Sequence, residues 1–397
     1  MRGRAAVLWA LLALLGWAPV AWAGGGGENM LLIVNPEDEN AVRIAQEYQR
    51  LRGIPDANII FITPLKGFAN MFTAVPTEAQ WKSTYVDPIL STIQARGLSN
   101  QIDYIAELGQ PYAYGPTPSY YGSDQRQSAG YGLANLYQFA AGFTSTNLVH
   151  DALPLYDVSG YTLGANDAIS STRIYTNWSG ISANAQFFMG GQLGWSGFGG
   201  NSAAQIISNL QYTISGDGMK PVGTVYLETN SDIRTTTRMS QFPGVTNQLA
   251  ARGITGIIEA GNTPVNRTNV LGTTVGYAGM VLPNGSTYLP GSWGDNLTSN
   301  GSQFDTMSQT KSTMFIASGA AGTSGTVTEP YADSARFPNA MIHVFSADGS
   351  TLGEAYYKAS QSPDLLLFTG DMLAQPFADL PTVTFTPGPS DGGPVNG

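Results

Sequence analysis

A helix-ending signal that occurs three times constrains the fold of this chain more than any other feature of its sequence. The signal reads Arg52-Gly53-Ile54, Arg96-Gly97-Leu98 and Arg252-Gly253-Ile254, and each copy follows an amphipathic stretch. A cation in the last turn, a glycine that tolerates left-handed backbone and an apolar residue that packs back on the helix are typical of a helix C-terminus. We therefore predict three helices that end at these glycines.

Short apolar runs alternate with these helices and predict strands. The runs are residues 30–34, 58–62, 102–106, 224–227 and 256–259. Strands that are joined through helices pair in parallel, and the helices cover the faces of the sheet. The sequence therefore predicts an α/β fold with a mostly parallel sheet covered by helices, in one domain over residues 24–380. Asn35-Pro36 predicts the start of the first helix, because asparagine caps helices and proline suits their first position.

Three stretches depart from this alternation. Residues 109–166 are rich in tyrosine, glycine, serine and proline, and predict a loop-rich insertion at the edge of the sheet, with a short helical stretch at 133–141. Residues 185–201 are rich in glycine and aromatic residues, and predict a loop that leads into a helix at 203–210. Residues 381–397 contain several prolines and glycines, and predict a disordered tail.

The first 23 residues have the features of a secretory signal peptide. Arg2 and Arg4 precede an apolar run at residues 8–17, and Ala21-Trp22-Ala23 fits a cleavage site. The alternative, a membrane anchor, is disfavoured because the apolar run is too short to span a bilayer. We expect export through a cleaved signal, to the periplasm or the exterior, and no transmembrane segment in the mature chain.

The composition excludes several classes of function. The chain has no cysteine, which excludes disulfides, thiolate metal ligands and a thiol nucleophile. A formal net charge of -10, without any cluster of lysine and arginine, argues against a nucleic-acid partner. His150 and His343 are the only histidines, and each is solitary, so a hydrolytic triad has little to draw on. Residues 197–202 loosely resemble a dinucleotide loop, but helix-capping chemistry explains them better, and we expect no organic cofactor.

The most distinctive motifs lie toward the C-terminus. Pro290-Gly291 leads into Asp295-Asn296-Leu297-Thr298-Ser299, and Gly325-Thr326-Val327 leads into Glu329-Pro330-Tyr331. Further motifs follow at residues 337–338, 354–358 and 370–377, and the start of the chain contributes residues 33–55. In this order the motifs resemble those of a family of uncharacterised exported bacterial proteins. Membership of that family implies no activity.

A weaker likeness extends to the caspase-like cysteine peptidases of the gingipain type. The resemblance implies a caspase-like fold, with a histidine and a cysteine that each follow a strand of a parallel sheet. Asn296 stands at the histidine position and Tyr331 at the cysteine position. Neither residue replaces a thiolate and its base, so the resemblance implies the scaffold without the peptidase chemistry. If residues 308–318 form a helix between two strands, Asn296 and Tyr331 should lie near each other at the strand ends.

The remaining polar residues of these two motifs form a candidate cleft with three interpretations. Its members are Asp295, Asn296, Thr298, Ser299, Glu329 and Tyr331. Asp295 and Glu329 could bind a divalent cation, act as an acid and a base, or cap helices and brace loops. The leading function is accordingly a non-catalytic exported binding or surface-associated module. The alternatives are a hydrolase that uses Asp295 and Glu329, and a structural or assembly component.

Overall fold

One large sheet dominates the computed structural model, which describes residues 25–65, 75–117, 125–144 and 187–380. Within these residues, ten strands form the sheet in the order β2-β1-β3-β6-β12-β11-β10-β9-β7-β8, and β4 pairs with β5 in a separate hairpin. The strands are β1 Met30–Val34, β2 Ile59–Phe61, β3 Tyr104–Leu108, β4 Ala113–Thr117, β5 Gln125–Ser128, β6 Met189–Gln192, β7 Thr224–Thr229, β8 Thr255–Ala260, β9 Val270–Val275, β10 Tyr288–Asn296, β11 Gly322–Thr326 and β12 Leu366–Gly370.

Helices connect the strands and cover the sheet. They are α1 Glu39–Arg52, α2 Glu78–Trp81, α3 Asp87–Ala95, α4 Ala129–Ala134, α5 Leu136–Ala140, α6 Ala203–Ile214, α7 Ile233–Thr236, α8 Phe242–Ala251, α9 Thr313–Ala317, α10 Ile342–Ala347 and α11 Leu352–Ala359. A π-helical turn, Lys82–Val86, joins α2 to α3. No helix in this part of the chain combines the length and the apolar character that a membrane crossing requires. Residues 1–23, for which a signal peptide is predicted, lie outside the described residues, as do His150 and residues 381–397.

The predicted fold class is confirmed, because all five predicted strands belong to the one sheet. β1 pairs in parallel with β2 and β3, and β7 pairs in parallel with β8. The exception to the parallel pattern is the pairing of β12 with β11, which is antiparallel. The strands of this sheet that sequence reasoning did not identify are β6 and β9 to β12. β6, β9, β10 and β11 contain several glycine, serine or threonine residues and lack a long apolar run, whereas β12 begins with an apolar run at residues 365–368 that was not recognised as a strand.

The three predicted helix ends are also confirmed. Gly53, Gly97 and Gly253 follow helices and have φ angles of 65°, 69° and 72°, the left-handed region that favours glycine. The predicted helix start at Asn35-Pro36 is wrong. Asp38 caps α1 instead, and the side chain of Asn35 accepts a hydrogen bond from the Glu37 amide. A short turn therefore separates β1 from its helix.

The predicted edge insertion is wrong for the residues that the structure describes. Between 109 and 144 the chain forms the β4–β5 hairpin and the helices α4 and α5. α4 packs on β6 and β12 in the middle of the sheet, where a Cβ on Gly130 would lie 2.9 Å from the Gly190 carbonyl oxygen. Tyr112, Tyr114 and Tyr131 are buried rather than exposed. Likewise, the predicted loop at 185–201 contains the central strand β6.

Aromatic residues show that several strands end at the same edge of the sheet. Tyr112, Trp195 and Phe304 follow β3, β6 and β10 respectively. The ring of Trp195 stacks on Phe304 at 4.9 Å and meets the edge of Tyr112 at 5.7 Å. This carboxyl edge is where ligands bind in open α/β sheets.

Candidate functional site

The two motifs that frame the predicted cleft belong to one strand–helix–strand unit. β10 and β11 are parallel neighbours joined through α9, and Asp295 stands in register with Ser324. The helix, Thr313–Ala317, is shorter than the predicted stretch at 308–318. Asn296 ends β10, and Tyr331 follows β11 after a short turn, so both segments leave the sheet from the predicted edge.

Asp295 is buried in an ion pair. One of its carboxylate oxygens accepts a hydrogen bond from Arg238 Nη1, and Ser324 Oγ donates to the other at 3.4 Å. Arg238 also donates to the Val275 carbonyl at 2.7 Å and to the Pro338 carbonyl at 3.1 Å. Burial raises the pKa of Asp295, whereas Arg238 opposes that rise. The arrangement ties together the segments around β9, β10 and residue 338.

The other predicted cleft residues have partners that brace loops. Thr298 Oγ1 and the Ser299 amide both donate to the side-chain oxygen of Gln309. Glu329 is exposed, and its carboxylate accepts the Tyr331 amide at 2.9 Å. Tyr331 is 52% exposed with a left-handed φ of 58°. Of the three interpretations of Asp295 and Glu329, these contacts favour structural bracing. Among the described residues, no three acidic, histidine or cysteine side chains cluster closely enough to hold a metal ion.

Asn296, at the histidine position of the resemblance, holds a neighbouring loop. Its side-chain amide accepts the Tyr277 amide and donates to the Tyr277 carbonyl, both at 2.9 Å. The solitary His343 is buried and shares a 2.9 Å hydrogen bond with Thr274 Oγ1. Burial and the nearby Arg238 lower the pKa of His343 to about 3, so the imidazole is neutral at physiological pH.

The loop that Asn296 holds forms one wall of a pocket that sequence reasoning missed. The pocket has a volume of about 410 Å³ and lies at the carboxyl ends of β7 and β8. Its lining comprises Glu228, Glu259, Ala260, Gly261, Asn262, Thr263, Val265, Arg267, Tyr277, Gly279, Met280 and Val281. Glu228 on β7 is the direct register partner of Glu259 on β8. Two like charges opposite each other destabilise a sheet, so this pair calls for a functional explanation.

Glu228 is the buried member of the pair. Glu228 is 1% exposed, and its Oε1 atom has no hydrogen-bond partner among the described residues. Burial, followed by the proximity of Glu259, raises the pKa of Glu228 to about 7, whereas Arg267 opposes the rise. Arg267 Nη2 donates to Glu259 Oε2 at 2.8 Å, and its guanidinium lies over the Tyr226 ring at 5.3 Å. Glu259 is thus paired directly with a cation, whereas the Glu228 carboxyl group shares a hydrogen bond with Glu259 and interacts with Arg267 only at longer range.

Hydrogen bonds fix the walls of this pocket. Asn230 Nδ2 donates to the Gly261 carbonyl at 3.1 Å and to Asn262 Oδ1 at 3.0 Å, which joins the loops after β7 and β8. Asn284 Nδ2 and Ser286 Oγ both donate to the Pro264 carbonyl, at 2.9 and 2.7 Å. The pocket is therefore preformed, as small-molecule sites usually are.

Glycine at position 261 permits the close approach of the buried carboxylate. A Cβ there would collide with Glu228 Oε2. A carboxyl group with a pKa near neutrality can exchange a proton with a ligand or hold a cation when it is ionised. The chemistry available to this pocket is therefore proton exchange with a ligand or the binding of a cation.

A weak signal for the pocket exists in the sequence. Thr224–Thr229 reads TVYLET and Thr255–Ala260 reads TGIIEA, so each strand has a glutamate in its fifth position. The register that sets these two glutamates side by side cannot be predicted from either segment alone.

No family model, no curated protein and no solved structure matches this chain.

Proposed function

We propose that this chain is a non-catalytic exported binding module that holds a small ligand in the pocket at the ends of β7 and β8. One observation carries the proposal: Glu228 is buried beside Glu259 with an unpartnered carboxyl oxygen, in a preformed pocket of about 410 Å³. A buried carboxyl oxygen without a hydrogen-bond partner is costly to the fold. Its retention is explained if a ligand completes its hydrogen bonds.

The contacts of Asn296 and Asp295 support binding rather than catalysis. Asn296 holds the Tyr277 wall of the pocket, and Asp295 is engaged by Arg238. The chain has no cysteine for the peptidase chemistry. In this proposal the caspase-like likeness concerns the scaffold alone, and Asn296, at the histidine position of the resemblance, supports the neighbouring pocket.

A blocked-pocket variant tests the binding function. Gly279 lines the pocket, and a Cβ at this position would meet no atom of the described chain within 4 Å. Gly279→Leu therefore adds bulk to the pocket without a clash at the Cβ. Met219→Phe is the control, because Met219 is 70% exposed in the loop that precedes β7, at the opposite edge of the sheet.

The measurement is an amide chemical-shift map with a mixture of small amines, carboxylic acids and neutral polyols. We expect at least one class to shift the amides of residues 228, 259–263 and 277 in the wild type and in Met219→Phe. Gly279→Leu should abolish these shifts. If no class of this mixture, no simple alcohol and no inorganic cation shifts these amides in the wild type, the binding function is refuted.

Export is the second part of the proposal, and the charged start, the apolar run and the cleavage site of residues 1–23 support it. Intact-mass measurement on protein recovered from outside the native cell tests it. The expected mass is that of a chain that begins at Gly24. A mass that includes Met1 to Ala23 would contradict the cleavage of a signal peptide.

A further inference from the structure

We infer that the ligand of the Glu228–Glu259 pocket is a primary ammonium group on an apolar chain, such as an alkylamine or a lysine-like side chain. The inference rests on the proposed binding function and names the class of ligand. It combines the charges at the base of the pocket with the apolar character of its rim.

The charges in the pocket leave room for one positive charge. Glu228 and Glu259 carry two negative charges when both are ionised, and Arg267 neutralises one of them through its 2.8 Å contact with Glu259. A monocation therefore brings the pocket to neutrality, whereas a divalent cation would leave an excess positive charge in a partly buried site. The ammonium group also donates hydrogen bonds, which the unpartnered Glu228 Oε1 lacks.

The rim of the pocket suits an alkyl chain. Val265 is 54% exposed and Val281 is 70% exposed, and both line the pocket beside the buried Met280 and the half-buried Tyr277. When a ligand covers apolar surface that was open to water, the free energy of the system falls, and this favours binding. A bare inorganic cation would leave this rim exposed, and a carboxylate ligand would be repelled by the glutamates.

Binding should release a proton from the pocket. The groups that face Glu228 are Glu259 on the neighbouring strand, Arg267 on the wall and Tyr288 on β10. The Glu228 carboxyl group loses its proton to water as the ammonium group arrives, and no covalent bond forms. With the pKa of Glu228 at about 7, the affinity should rise about tenfold from pH 6 to pH 8. The alkylammonium itself stays charged over this range.

The test compares four probes of matched size or charge at constant ionic strength. Amide shifts are followed during titration with n-butylammonium, n-butanol, butyrate and Ca²⁺. We expect n-butylammonium to bind at least about tenfold more tightly than n-butanol, since a hydrogen bond to a charged group adds about that factor. Butyrate and Ca²⁺ should leave the amides of residues 228, 259 and 277 unshifted.

Two isosteric variants complete the test. Glu228→Gln should weaken n-butylammonium binding by about tenfold or more. Glu107→Gln is the matched control, because Glu107 is also a buried glutamate with unpartnered carboxyl oxygens, but it lies on β3 in the other half of the sheet. Undiminished binding in Glu228→Gln would overturn the inference, as would loss of binding in Glu107→Gln with the fold intact.

The remaining outcomes separate the inference from the function on which it rests. If n-butanol, butyrate or Ca²⁺ shifts the pocket amides as strongly as n-butylammonium, the ligand class is wrong and the binding function stands. The same holds if only other members of the small-molecule mixture bind. If neither the mixture nor any of the four probes shifts these amides, both proposals fail together.

Discussion

The side chain of Asn296 makes two hydrogen bonds with the backbone of Tyr277: it accepts one from the amide and donates one to the carbonyl, each at 2.9 Å. The residue at the end of β10 thereby holds the loop after β9, which is a wall of the candidate pocket. We expect Asn296→Ala to lower the free energy of unfolding by about 1–3 kcal/mol, because both backbone groups lose a partner. It should also displace the amides of the pocket wall.

Asn209→Ala is the matched control for that variant. Asn209 is equally buried, and its side chain donates to the carbonyls of Ile316 and Ala320 at 3.2 and 3.0 Å. Chemical denaturation should show a comparable loss of stability in the two variants. Only Asn296→Ala should change the amide shifts of residues 228 and 259–263, and equal changes in both would contradict a positioning role.

The buried pair of Arg238 and Asp295 should be one of the largest single contributions to stability. Arg238→Met leaves the Asp295 carboxylate buried without its cation, and we expect a loss of about 3–5 kcal/mol in the free energy of unfolding. Arg252→Met removes the partly exposed pair with Asp348, and should cost at most about 1 kcal/mol. Urea denaturation at one pH measures both, and similar losses would show that burial does not set the difference.

Glu228 should make stability depend on pH. Its pKa is raised from 4.5 to about 7 in the folded protein, so the folded state binds more protons than the unfolded state between these values. Its contribution to stability is fully present below pH 4.5 and is lost as the pH rises through 7. The wild-type free energy of unfolding, relative to Glu228→Gln, should fall by about 2–3 kcal/mol from pH 5 to pH 8. A flat difference would mean that Glu228 titrates normally.

Asp371 should hold together motifs from the two ends of the chain. It accepts the Tyr48 hydroxyl at 2.7 Å and pairs with Arg52, which also pairs with Asp217. Asp371→Asn weakens this buried network, and we expect a loss of about 2–4 kcal/mol. Asp379→Asn, on the exposed pair with Lys220, should cause no measurable change in thermal unfolding. An equally small change in Asp371→Asn would refute the structural role of the network.

The fold was predictable where local signals are strong. Helix ends are predicted by short local patterns, at Gly53, Gly97 and Gly253. The strands that follow these helices are predicted by short apolar runs. Apart from β12, whose apolar run at residues 365–368 was overlooked, the missed strands of the large sheet have no long run of this kind, because close packing takes the place of bulky side chains. Gly190 on β6 packs against Gly130, and the Phe315 ring lies against Gly294 on β10. A glycine-rich strand looks like a loop until its partner is known.

The site was less predictable because its relationships are long-range. The motif around Asp295 indicated the correct edge of the sheet. Its partner Arg238 lies in another segment, and no local pattern near either residue predicts the ion pair. Likewise, Glu228 and Glu259 become neighbours through the pairing of β7 with β8. Sequence patterns indicate which residues sit at strand ends, whereas the register decides which of them meet.

The position of β12 has a consequence for how the molecule is made. Leu366–Gly370 is the last strand of the described chain, yet it lies between β6 and β11 in the interior of the sheet. During synthesis, the earlier strands can pair only into two partial sheets, and each of them exposes an unpaired backbone edge until β12 arrives. Such edges are sites of intermolecular pairing. A chain that stops before residue 366 should therefore aggregate or require a chaperone, even though it contains every residue of the candidate pocket.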